Sequence, residues 1–318
     1  MKSKSIILTS VGCVLSTSLG VGIGYILSTF FPHITKSIDY GAFDPLVLKA
    51  DGDACLNKFE KAKKSSAFDG KTLEGWEIVN AALRRFELEE RNMSQGIGRA
   101  SAKIGPMNVD QQIRSTMFRV GDQYFEESLS KSFAVNVAWR IYQEGNETKR
   151  YKGSCPDNVE QPSFADNVQP TVYSEAEYLE HAGRNLDGSA CIYLISDKTL
   201  ASPSQASLSS LPMNQIKKNG DGTYDIDLEL DARKSVVNYV KQMKATTDIN
   251  GYPTFEYVHA TFTVTENAEL VKSTFKERYY ASTPSGSSNL DGTLTTYYST
   301  GGNYVIPELN DYVTYDHR

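Results

Sequence analysis

Catalytic and metal-binding signatures are missing from this chain. It has no G-x-S-x-G elbow, no P-loop, no H-E-x-x-H and no C-x-x-C. Those absences remove the commonest hydrolase, nucleotide-phosphate, zinc-protease and redox or zinc-knuckle readings. Its histidines, His33, His181, His259 and His317, are scattered without metal-ligand spacing. His259 falls mid-strand beside Tyr257 and Thr261 and reads as a hydrogen-bonded sheet histidine, while His181 follows Glu180 near a helix end, where capping is the ordinary role. Asp221-Gly222 and Asp248-Ile249-Asn250-Gly251 lack the ligand series of a calcium loop. Gly96-Ile97-Gly98 lacks a following glycine and the βαβ setting of a dinucleotide site. No catalytic residue, metal ligand or cofactor is assigned, and the expectation is a protein that is not an enzyme. A basic surplus is missing as well: the net charge is −6, which argues against a nucleic-acid partner.

Charge is absent from one stretch altogether. Between Lys4 and Lys36 there is no Asp, Glu, Lys or Arg, and Ile6–Phe31 is a run of apolar and small residues. As a helix it would reach roughly 39 Å, more than the ~30 Å of a bilayer's hydrocarbon core. Lys2 and Lys4 precede it, so the positive-inside bias places the N-terminus in the cytoplasm and the remainder outside. A retained signal-anchor helix is the leading reading. A cleaved signal would have a shorter apolar run and a small-residue cleavage site, and lipidation at Cys13 would need a polar tether after it. Gly12, Ser16, Gly20, Gly24 and Ser28 recur every fourth residue, a small-residue stripe through which two such helices could associate. Glycine, serine and threonine are common enough here for the stripe to arise by chance.

Three cysteines lie beyond this run, Cys55, Cys155 and Cys191. An odd number cannot pair completely within one chain. Cys155 and Cys191 sit near turn signals and are the pair to join if a disulfide forms; three free thiols are the alternative.

The remaining body is an ordinary globular composition, 40% hydrophobic, with nineteen tyrosines and two tryptophans, which suits sheet faces. Asp44 to Lys64 reads as a charged helix. Thr72 to Glu89 is a stronger one, with Leu73, Trp76, Val79, Leu83 and Phe86 on one face. Period two then takes over. Val109, Ile113 and Met117 share a face, as do Phe125 and Leu129; Phe133, Val135, Val137, Trp139 and Ile141 alternate with Asn136 and Arg140, which are expected at solvent. Residues 153–220 are less regular, with a short helix after Ser174 and a strand at Cys191–Ile195. Tyr224, Ile226, Leu228 and Leu230 form a strand, Asp231 caps a helix to Lys244, and a hairpin follows with Val258, Ala260, Phe262 and Val264 facing Val271, Phe275 and Tyr279. Leu290 to Tyr298 is the last strand. Meanders with a few amphipathic helices on one face make the class α+β. The boundaries are a cytoplasmic start at 1–5, the anchor at 6–31, a juxtamembrane helical segment at 32–70, an extracytoplasmic domain at 71–300 and a tail at 301–318.

This order of elements, a helix at Thr72–Glu89, a meander from Phe118 to Tyr142, a strand-to-helix unit from Tyr224 to Lys244 and the hairpin Phe255–Tyr280, resembles the envelope proteins related to the lipoprotein carrier LolA and the mycobacterial LppX-type lipoproteins. The resemblance implies a strongly curved antiparallel sheet, an incomplete barrel packed on a few helices, with an apolar cavity for acyl chains. It is one of pattern over residues 70–300 and transfers no binding residue. If the Asp231–Lys244 helix lies in the mouth of such a sheet, Val236, Val240, Met243, Phe262 and Val264, with Trp139, are the candidates to line a cavity. Two functions follow. One is a membrane-anchored extracytoplasmic protein binding a hydrophobic or lipid-like ligand, with a lipid or lipoprotein as partner. The other is an envelope scaffold or interaction module with a filled core.

Overall fold

The computed structural model describes residues 38–104, 107–132, 136–155, 161–182, 191–206, 214–246, 251–283 and 286–314. The anchor candidate Ile6–Phe31 and its small-residue stripe lie outside them, as do Phe133 and Val135. No described helix is long and apolar enough to cross a membrane.

Four helices come first: α1 (Pro45–Leu48), α2 (Gly52–Lys61), α3 (Lys64–Ala67) and α4 (Gly75–Leu88). The single helix expected from Asp44 to Lys64 is broken because two aspartates stop it. Asp44 Oδ1 accepts the Leu46 N–H at 2.9 Å and Asp51 Oδ1 the Ala54 N–H at 3.0 Å, so each starts a new helix as its N-cap. Helix α4 keeps its expected face, burying Val79, Leu83 and Phe86. Its first residue is Gly75 for a steric reason: a Cβ there would come within 2.8 Å of Ile226.

Strands β1 (Arg91–Ile104), β2 (Met107–Val120), β3 (Gln123–Lys131), β4 (Asn136–Glu144), β5 (Glu147–Gly153) and β6 (Thr171–Ser174) follow. Then come α5 (Glu175–Ala182), α6 (Pro203–Ala206), β7 (Gln215–Lys218), β8 (Tyr224–Leu230), α7 (Val237–Thr246), β9 (Thr254–Val264), β10 (Leu270–Thr283) and β11 (Gly286–Thr300). They form one open sheet in the order β6-β5-β4-β3-β2-β1-β11-β10-β9-β8-β7. Every neighbouring pair is antiparallel. Two meanders thus meet back to back along β1 and β11, giving the expected α+β architecture of a large antiparallel sheet with a few helices.

Strand β1, at the centre, has no strand signal of its own. On the face that meets the helices it offers Ser94, Gly96, Gly98, Ala100 and Ala102, residues of low strand preference. Its conformation is imposed by β2 and β11, and its small residues let them close in: a Cβ on Gly98 would lie 2.9 Å from the Thr293 carbonyl oxygen. Three further expectations are corrected. Residues 191–195 are irregular rather than a strand, held by Leu194 N–H to the Ser235 carbonyl at 2.8 Å and by Asn80 Nδ2 to the Ile195 carbonyl at 2.9 Å. A register shift between Leu270 and Lys272 turns Val271 outward and brings Leu270 in. Helix α7 begins at Val237, because Asp231 Oδ1 takes the Arg233 and Lys234 N–H groups at 2.8 and 3.0 Å in a preceding turn.

The main core lies between the helices and the inner face of β8–β11, with Ala100, Ala102, Val109 and Ile113 continuing it onto β1 and β2. The outer face of β1–β4 has a separate cover. The expected tail packs Tyr304, Ile306 and Val313 onto the row Met93, Phe118, Phe125 and Tyr142. Arg140, expected at solvent, is fully buried there. Its Nε donates to Glu127 at 2.7 Å, one terminal nitrogen to the Glu308 and Leu309 carbonyls at 2.8 and 2.7 Å, and the other to the Asp311 carbonyl at 2.7 Å and Glu127 at 2.6 Å. All five guanidinium N–H donors therefore have acceptors. Asn136, two strand positions from Ala138, stays exposed as expected.

Candidate ligand-binding face

Residues opposite one another in an antiparallel sheet point to the same side. Register therefore places Gly96, Ser115, Ser128, Trp139 and Lys152 in one inner-facing row across β1–β5. The next row is Ser94, Met117, Glu126, Ile141 and Arg150, and beyond it Tyr124, Gln143 and Thr148 share the face. Beside Lys152, Arg150, Glu126, Tyr124, Gln143 and Thr148 this surface is serine, glycine and apolar, and nearly all of it is buried. Ser115 and Ser128 are 2% exposed, Glu126 and Ile141 0%, Trp139 7% and Arg150 5%. The far end of the same strands, at Val109 and Ile113, belongs to the main core. Trp139 and Val137 form their own small cluster.

The polar atoms of this face are the informative ones. Ser115 Oγ, Trp139 Nε1, Gln143 Oε1 and Thr148 Oγ1 are buried with no hydrogen-bond partner, and Gln111 Oε1, further along β2, is in the same position. Thr116 Oγ1 and Tyr142 Oη share that state on the opposite face, beneath the C-terminal segment. Buried polar groups in native proteins are almost always paired, so a concentration of unpaired ones marks a place where ordered water or a ligand would supply the partners. Positive charge sits at the edge. The Arg150 guanidinium stacks 3.8 Å over the Trp139 ring, with Lys152 Nζ at 5.5 Å. Arg150 also meets His181 Nε2 at 2.7 Å, and burial together with the Arg150 charge lowers the His181 pKa, so a neutral ring accepts that bond. His181 lies in the last turn of α5 and stacks on Tyr173.

The other cavity candidates lie elsewhere. Val236, Val240, Met243, Phe262 and Val264 do meet, each at most 1% exposed, within the main core beneath the helices. Phe262 packs edge-on against Phe275 at 5.6 Å. Trp139 does not join them. Three clefts of about 220, 400 and 270 Å³ open on the helix layer, and none is lined by any of the six. The largest lies between the start of α2, α4 and residues 191–195, with Asn80, Arg84, Glu87, Cys191 and Tyr193 in its walls.

No disulfide joins Cys155 and Cys191, or either of them to Cys55. Burial pushes Cys191 up to about 12 and, with Glu77 adding to it, Cys55 up to about 11, so both remain protonated near neutral pH. His259 is the expected hydrogen-bonded sheet histidine, with Nδ1 2.8 Å from Glu229 and Nε2 3.4 Å from Asp227. Burial alone would lower its pKa; bonds and charge from the two carboxylates raise it overall. Among the described residues no group of three His, Cys, Asp or Glu side chains is arranged to hold a metal ion.

No family model and no curated protein matches the chain. Solved structures similar to it include LprF from Mycobacterium bovis, with TM-score 0.32 and 12% identity over 74% of this chain and 97% of that one. A putative outer membrane lipoprotein-sorting protein domain from Vibrio parahaemolyticus matches with TM-score 0.26 and 8% identity, covering 80% and 95% of the two chains. A LolA superfamily protein from Nitrosomonas europaea matches with TM-score 0.23 and 11% identity, covering 71% and 92%. The structural neighbours thus include the LolA group that the order of elements resembles. At these TM-scores the likeness carries nothing about a ligand, and what the face does is argued from its own residues.

Proposed function

We propose that this chain is a membrane-tethered, extracytoplasmic binding protein for a hydrophobic or lipid-like ligand, held on the inner face of β1–β5. One observation carries the reading: Ser115, Trp139, Gln143 and Thr148 present buried, unpartnered polar atoms among Met117, Val137 and Ile141. An amphiphile suits that mixture, its chain lying on the apolar side chains and its polar end supplying hydrogen bonds to the hydroxyls, indole and amide. The tether is the uncharged run Ile6–Phe31, long enough to span a bilayer.

The packed helix–sheet core supports a second reading, a scaffold that works through its surface. Val236, Val240, Met243, Phe262 and Val264 are fully occupied with one another and with α4. Native mass spectrometry of the full-length chain, extracted and purified without added lipid, separates the two. A co-purified amphiphile that Ser128→Trp displaces is the expected result. A wild-type chain that carries no such mass and binds no fluorescent fatty-acyl probe would leave the scaffold reading standing.

A further inference from the structure

One carboxyl of the main core is out of keeping with its surroundings. Glu277 lies on the inner face of β10 at 2% exposure, flanked in register by Val258 and Gly292. Phe275 and Tyr279 share its side of the strand. Its hydrogen-bond partners come from two other elements. Tyr193, from residues 191–196, donates to Oε2 at 2.5 Å, and Tyr239, from α7, donates to Oε1 at 3.2 Å. Tyr279, fully buried nearby, also faces Tyr239 and Glu277. Tyr193 and Tyr239 are the groups that act on the carboxyl, and no cation is among them. Cys191 acts on Tyr193 in turn, and its thiol stays protonated. Burial outweighs the two tyrosine bonds and raises the Glu277 pKa to about 7, against an ordinary 4.5.

Tyr193 is the member of this cluster that lies outside the sheet and the helices. It belongs to an irregular segment that roofs the core, stacks on Phe275 at 4.4 Å and forms part of the wall of the 400 Å³ cleft. Hydrogen bonds of the segment include Leu194 N–H to Ser235, Asn80 to the Ile195 carbonyl, and Ser196 Oγ to the Leu48 carbonyl at 2.6 Å, and Leu194 and Ile195 are buried against the core. Lifting the segment would admit water from the cleft to the carboxyl, while β10 stays hydrogen-bonded between β9 and β11.

We propose that Glu277 is a proton-controlled latch: in its neutral form it holds residues 191–196 on the sheet, and on losing its proton it releases them. A carboxylate in this site keeps two donors but no counter-charge among the described residues, so the charged form favours whichever state lets water in. Linkage sets the pH window. The closed state binds the proton with a pKa of about 7 and the open, hydrated state with about 4.5. The closed form is therefore fully favoured below 4.5, and opening becomes about tenfold easier per pH unit up to about 7. The total is 2.5 units, roughly 300-fold, and the effect levels off above neutral pH.

Amide hydrogen exchange of the full-length chain from pH 4 to 8.5, corrected for intrinsic rates, tests this at the Leu194 N–H. Its protection should fall by the stated factor between pH 4.5 and 7 and then flatten, while remaining below that of the Val258 amide in β9. Glu277→Gln should remove the pH dependence. Tyr193→Phe, which deletes one donor to the carboxylate, should move the flattening to higher pH and serves if the glutamine variant does not fold. A pH-independent Leu194 amide, an unchanged slope in Glu277→Gln, an unmoved flattening in Tyr193→Phe, or protection equal to that of Val258 would each overturn the latch.

Discussion

The two halves of one sheet are built to opposite specifications on their inner faces. Under α4 and α7, strands β8–β10 present Ile226, Leu228, Val258, Ala260, Phe262 and Val264, all at 0–1% exposure, in a closed apolar core. Across the β1–β11 seam, strands β2–β5 present Ser128, Ser130, Glu126 and Arg150 among a few apolar residues, and Ser115 Oγ, Trp139 Nε1, Gln143 Oε1 and Thr148 Oγ1 are buried there without a hydrogen-bond partner. The first half spends its side chains on stability; the second keeps hydrogen-bonding capacity unused. Its stabilising contacts come from outside instead, where residues 303–314 cover the opposite face and Arg140 ties them down. A sheet braced from its back can keep hydrogen-bonding groups on its front that its own packing does not use.

The largest effect should come from the sealed half. Phe262→Ala removes a fully buried ring from the closed core and should cost about 3–5 kcal/mol, read as a fall in the urea midpoint. A loss under about 1 kcal/mol would mean that the core is looser than its burial indicates.

On the back of the other half, Arg140→Leu should cost a similar amount, about 3–5 kcal/mol, because it strands Glu127 in a dry site and frees three carbonyls of the C-terminal segment. Limited proteolysis should then cleave within residues 303–314 far faster than in wild type. Unchanged cleavage would show that the apolar contacts of Tyr304, Ile306 and Val313 suffice without the arginine.

What could be read from the chain alone divides along the same seam. The sealed half follows plain period-two and period-3.6 patterns, so Tyr224–Leu230, the Val258–Val264 face and the buried face of α4 are legible in the sequence. Arg140 is not, because it alternates correctly with Trp139 and Ile141 and only a cover supplied by residues 308–311, 168 positions or more away, makes its side of the strand an interior. Nor is β1: its Gly-Ser-Ala pattern has no local strand preference and is set by its neighbours. The candidate face was visible in part, through the alternation of Val137, Trp139 and Ile141 and through Met117. Its serines, glutamine and threonine carry no signal until the register of five strands is known.

The sealed half also contains one charge that pH should expose. Glu277 titrates near pH 7 when folded and near 4.5 when hydrated. Its raised folded pKa means that the stability it supports is complete below pH 4.5 and is lost as the pH rises to about 7, a difference of about 3 kcal/mol. Glu277→Gln should therefore match wild type at pH 4.5 and exceed it by about that amount at pH 8 in urea unfolding. Equal stability at both pH values would show the carboxyl to be hydrated in the folded chain.

The smallest change in stability should carry the largest change in binding. Val240→Trp and Ser128→Trp place the same side chain on opposite halves of the inner surface. Val240 is enclosed by the main core, where extra bulk forces strain costing about 1–3 kcal/mol or more. Ser128 is equally buried by area, at 2%, but its row is Gly96, Ser115 and Trp139, small side chains and unpaired polar atoms instead of a packed hydrocarbon interior. If that face is the ligand's seat, the new indole takes the ligand's volume, and Ser128→Trp should shift the urea midpoint by less than about 1 kcal/mol while abolishing uptake of a fluorescent fatty-acyl probe. Both variants unfolding alike would make the two halves one continuous packed core and remove the contrast on which the binding face rests.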